Sequence, residues 1–111
     1  MSGETTTTTT LAPSGDIPSL LQQLSNVTFG LGQAIVDGDS AVYKQRAEAA
    51  NSIWTVLKPQ IEAEGIDLVD DVQRIINLID TATNRKRPAD ADKASRFIAL
   101  IQDSAKDLLA K

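Results

Sequence analysis

The chain has 111 residues, 41% of them hydrophobic, a formal net charge of −4, and neither His nor Cys. The length and apolar fraction support one packed domain. The missing residue types exclude disulfides, thiol nucleophiles, imidazole bases and His or Cys metal ligands, and the acidic balance disfavours direct nucleic-acid binding, which needs cations arrayed on one face.

No apolar run approaches the roughly 18 residues of a membrane span, and no positive region leads into an apolar core as in a secretory signal. The expectation is a soluble, non-secreted protein, cytoplasmic or held within an assembled particle, with no membrane partner. The aromatic residues are Phe29, Tyr43, Trp54 and Phe97. The core must therefore be built mostly from Leu, Ile, Val and Ala.

Residues 1–15, MSGETTTTTTLAPSG, are of low complexity. The Thr run lacks periodic apolar partners, and Gly3, Pro13 and Gly15 interrupt any element. This composition predicts a disordered or extended arm. Thr has good strand propensity, so such an arm could become ordered along a neighbour's surface.

Residues 16–111 read as one helical domain. Asp16 can cap a first helix over 17–37, with Pro18 tolerated in its first turn. Leu20, Leu24, Val27, Leu31 and Ala34 fall on one stripe, widened by Leu21 and Ile35. Phe29 and Val36 project roughly 180° from Leu20 and form a second apolar face. Gly30 and Gly32 each weaken the helix by roughly 1 kcal/mol relative to Ala. Two readings of this segment compete. In one, the glycines bend or interrupt the helix and swing Phe29 back into the core. In the other, the small residues admit another helix or subunit, with Phe29 as the contact.

Asp37-Gly38-Asp39-Ser40 is a stop followed by a start: Gly38 suits a left-handed cap, and Asp39 or Ser40 suits the next N-cap. The D-x-D spacing resembles the opening of a calcium loop, but Val42 stands where such a loop needs Gly. No metal site is expected here. A second helix over 40–64 carries the seam Tyr43, Ala47, Ala50, Trp54, Leu57 and Ile61, the heptad-like spacing of a bundle helix. The slim section at Ala47, Ala49 and Ala50 fits a large neighbour such as Phe97 or Phe29. Pro59 should kink this helix near Thr55 to Lys58. Gly65 ends it, with Ile66 able to touch Ile61.

The densest apolar stripe lies in a third helix over 67–84. Leu68, Val69, Val72, Ile75, Ile76, Ile79 and Ala82 fall within an arc of roughly 140°. Asp67 is placed to cap it, and Asp70 and Asp71 suit the positive end of its dipole. Arg85, Lys86 and Arg87 follow, then Pro88. They read either as a dipole complement with a proline stop or as a contact for a small anion or an acidic partner. Asp90 or Asp92 can cap a last helix over 90–110, with a seam at Ala94, Ile98, Ile101, Ala105 and Leu108 flanked by Phe97 and Leu109. Leu100 lies off that seam.

No phosphate-binding glycine motif occurs. The carboxylate pairs Glu62/Glu64, Asp70/Asp71 and Asp90/Asp92 stand near helix ends, where capping accounts for them, and no acidic residue occupies a seam position. Catalytic residues, metals and cofactors are therefore not expected. Short connections favour antiparallel neighbours, hence an all-α, up-down-up-down four-helix bundle behind the N-terminal arm. The residues left over once the core is filled are candidate partner contacts: Phe29, Val36, Gly30, Gly32, Leu100, Arg85, Lys86 and Arg87. They suggest a structural or interaction protein that assembles with itself or with a larger protein partner, as a virion or other particle component does. The alternative is a small acidic monomeric module that binds or inhibits through its carboxylates.

Overall fold

The computed structural model describes residues 14–109. The Thr-rich arm falls outside that range except for Ser14 and Gly15. The described residues form five helices: α1 Ile17–Thr28, α2 Leu31–Asp37, α3 Ser40–Glu64, α4 Val69–Arg85 and α5 Pro88–Leu109. The first two are one rod broken at Phe29-Gly30. The fold is all-α, a four-helix bundle with an interrupted first helix.

The break is local backbone chemistry. Phe29 is extended (φ −66°, ψ 125°) and Gly30 is left-handed at φ 82°. That conformation carries little penalty for Gly alone. Gly30 then restarts the helix by accepting from the Ala34 N–H at 3.0 Å. The stripe survives the break: Leu20, Leu21, Leu24, Leu31, Ala34 and Ile35 are all buried. Val27, at the interruption, is half-buried.

Cross-helix hydrogen bonds set the directions. Gln60, late in α3, donates to the Gly15 carbonyl at 2.9 Å, whereas Arg46, early in α3, reaches the carbonyls that end α1. Asn51 donates to Asp80 at 3.1 Å and the Trp54 indole N–H to Gln73 at 3.0 Å, so α3 and α4 are also antiparallel. Gln102 donates to Gln22 at 3.2 Å while Asp92 approaches Gly32, which runs α5 against the first rod. The Arg74 guanidinium stacks over the Phe97 ring at 5.7 Å, across the α4–α5 pair. The four rods therefore alternate up and down.

Their seams meet as one core. Val72, Ile75, Ile76, Ile79 and Ala82 of α4 are sealed, as are Tyr43, Ala47, Ala50, Trp54, Leu57 and Ile61 of α3 and Ala94, Ile98, Ile101 and Ala105 of α5. Each Leu, Ile or Val so buried contributes roughly 1.5–3 kcal/mol relative to exposure.

Several local expectations need correction. Asp67 does not cap α4. The N-cap is Leu68, with no side-chain cap, because burying Leu68 turns the backbone and leaves Asp67 facing solvent. The last helix starts at Pro88 rather than 90. Proline suits a first helical turn, and Asp90 lies in that turn, 3.3 Å from Arg87. Leu108 is exposed, because the final turn points Leu109 toward the start of α1. The section at Ala47 and Ala50 is not filled by Phe29, which is exposed. Asp39 caps α3 by accepting from the Val42 N–H at 3.4 Å, and Glu48 sits exposed within that helix.

Candidate functional site

Phe29 is 76% exposed and Val36 65% exposed. Both were expected on the side opposite Leu20, and both lie on the outside. The reading in which the broken helix folds Phe29 back into the core is therefore overturned: the helix breaks, but the side chain stays out. From Phe29 to Leu31 is about 7 Å at most and from Leu31 to Val36 about 7.5 Å of helix, so the two lie within about 15 Å of each other.

A cation holds the backbone beneath Phe29. Arg46 Nη1 donates to the carbonyls of Asn26 at 3.2 Å, Val27 at 3.1 Å and Phe29 at 3.0 Å. These are carbonyls that a helix end leaves without intrahelical donors, and a positive charge suits that end of the dipole. Thr28 adds a bond from its hydroxyl to the Ser25 carbonyl at 2.9 Å. Arg46 Nε is buried without a partner. The corner is thus fixed by a long-range bond from α3 and not by α1 alone.

Gly30 is exposed and serves the turn. Gly32 is buried, and its neighbour is intrachain. A Cβ there would stand 2.8 Å from Asp92 Oδ1 and 3.3 Å from the Pro88 carbonyl oxygen. The close approach foreseen at this glycine is made by the start of α5, so Gly32 is not a surface contact.

The basic run is largely committed to ending α4. Lys86 caps the helix in the left-handed region at φ 55°, and its Nζ lies 5.8 Å over the Tyr43 ring. Arg87 donates its backbone N–H to the Ala82 carbonyl at 2.9 Å and pairs with Asp90. Arg85 is exposed in the last turn of α4. The helix-stop reading accounts for all three.

Leu100 is 63% exposed and belongs to a surface that the sequence reading did not assemble. It borders an open hollow of about 420 Å³ between α4 and α5, lined also by Leu78, Phe97, Arg74, Lys93 and Arg96. Leu78 and Phe97 are half-buried and form its floor. The spacing of Lys93, Arg96, Phe97 and Leu100 was the available signal, since residues three and four apart share a helix face. A second hollow, between α1 and α5, is lined by Pro18, Leu21, Gln102 and Lys106 among others.

Among the described residues no group of three or more carboxylates gathers as a metal site would require, and no helix is long and apolar enough to cross a membrane. Known protein families, curated proteins and solved structures offer no match to this chain.

Proposed function

We propose that this chain is a non-enzymatic structural protein that assembles with copies of itself or with a larger protein partner, as a building block of a particle such as a virion. The observation that carries the reading is the exposed pair Phe29 and Val36 on a corner braced by Arg46. An aromatic side chain held outward on a fixed backbone is the kind of anchor that protein interfaces use. A sequence without His or Cys supports a role that needs no reactive centre.

The expected strength follows from area. Burying two such side chains contributes roughly 1.5–3 kcal/mol each, before the entropy of association is subtracted. A single contact of this size is weak, and assembly depends on high local concentration or on several contacts at once. The acidic-module alternative draws on Asp16, Asp37 and Asp39, which precede the first cation at Lys44 in the described chain. Asp37 and Asp39 stand beside Val36, which favours assembly over a purely electrostatic contact, while Asp16 lies at the far end of the first rod.

Sedimentation of the full chain against a Phe29→Asp, Val36→Asp double variant tests the reading. The expected result is a faster species for the parent that the variant lacks, with the two helical spectra unchanged. Identical sedimentation of both as monomers would contradict self-assembly.

A further inference from the structure

We propose that the Phe29–Val36 corner of one copy seats in the α4–α5 hollow of another copy, giving a head-to-tail contact. This rests on the assembly reading and names the surface that completes it. Two observations choose a second copy as the occupant. The first is shape and polarity. The corner offers a protruding aromatic ring, and the hollow offers an apolar floor of Leu78 and Phe97 with Leu100 at its edge. The hollow is an open depression of about 420 Å³, so a ring can enter it without opening the core.

The second is charge. Asp37 and Asp39 are exposed beside Val36, while the cation beneath Phe29, Arg46, is directed onto backbone carbonyls with its Nε buried. The hollow is rimmed by Arg74, Lys93 and Arg96. Asp70, Asp71 and Asp92 stand about one turn away on the same helices but do not line it. An acidic-flanked knob and a basic-rimmed socket on one chain are complementary to each other and not to themselves.

The corner sits on the first rod, and the hollow lies between the third and fourth rods. One copy therefore offers a knob and a socket facing different ways. Such a contact, where it is not returned reciprocally about a two-fold axis, propagates into a chain or a ring. Neutralising pairs at the rim also predicts that the contact weakens as salt rises.

The test is mutual complementation. A knob variant, Phe29→Asp with Val36→Asp, and a socket variant, Arg96→Glu with Leu100→Asp, alter exposed positions, and each is checked for an intact helical spectrum. If the socket pair perturbs folding, Arg96→Gln with Leu100→Gln replaces it. Each variant alone is expected to lose assembly, with at least a tenfold higher dissociation constant. An equimolar mixture is expected to recover a single heterodimer, since one intact knob and one intact socket remain, and to grow no further. A mixture that stays monomeric overturns the head-to-tail contact. A socket variant that assembles like the parent overturns it too, but leaves the assembly reading standing if the knob variant is monomeric. Parent-like assembly of both variants overturns the head-to-tail contact and the part given to Phe29 and Val36 while self-assembly itself stands; a strictly monomeric parent removes both readings.

Discussion

Arg46 shows how one side chain can fix a surface corner from a distance in sequence. Its Nη1 collects three carbonyls at the end of α1, so the extended backbone at Phe29 is held rather than frayed. Hydrogen bonds to a charged donor are worth roughly 1.5–3 kcal/mol, offset in part because water reaches the exposed carbonyls of Asn26 and Phe29 while that of Val27 is half-buried. Arg46→Ala is therefore expected to lower stability by about 2 kcal/mol, measured by urea unfolding followed through Trp54. That indole is buried and bonded to Gln73, so its emission reports the core. An Arg46→Ala protein as stable as the parent would show that solvent replaces the cap at no cost. None of this was legible beforehand: the spacing between Arg46 and Phe29 obeys no local rule, because it comes from the packing of α3 on α1.

At the scale of the element, periodicity reported burial well and chain direction poorly. The 4, 3 steps through Leu20, Leu24, Val27, Leu31 and Ala34 continue across Gly30 as though the helix were unbroken. The stripe records which side faces the core, and both halves of the broken rod face it. For the same reason the outward positions of Phe29 and Val36 were readable from the wheel. The role of Gly32 was not, because a glycine that admits a neighbour looks the same whether the neighbour is another chain or α5. Two substitutions separate these cases by size. Gly32→Ala gains helix propensity of about 1 kcal/mol against a contact with the movable Asp92 side chain, and is expected to be nearly neutral. Gly32→Val drives further into the Pro88 carbonyl, 3.3 Å from a Cβ, and is expected to cost about 2 kcal/mol as overpacking. Thermal unfolding of the two variants distinguishes them. A Val variant as stable as the Ala variant would mean that the start of α5 shifts freely. Caps were similarly mixed. Gly38 and Gly65 end their helices in the left-handed region as expected, at φ 72° and 73°. Asp67 loses its expected place because the burial of Leu68 outweighs a cap worth about 1 kcal/mol.

For the whole molecule, the fold explains why the exposed apolar surfaces lie where they do. Four apolar seams close on each other and consume the Leu, Ile, Val and Ala residues that face inward. Among the described residues the large hydrophobics left outside are Phe29, Val36, Leu100 and Leu108. Leu108 lies in the terminal turn of α5, Leu100 marks the α4–α5 hollow, and the other two share the corner of the first rod. The bundle could be inferred from the sequence because each seam is a local pattern. The hollow could not, because it joins residues from two helices whose contact is set only when the rods pack. The account's central claim is that this apolar surplus drives association. It is tested most directly by static light scattering of the full chain across a concentration series reaching the millimolar range at low salt. The expected result is a weight-average mass that climbs with concentration and falls back when salt is added; a mass fixed at that of one chain throughout would contradict it.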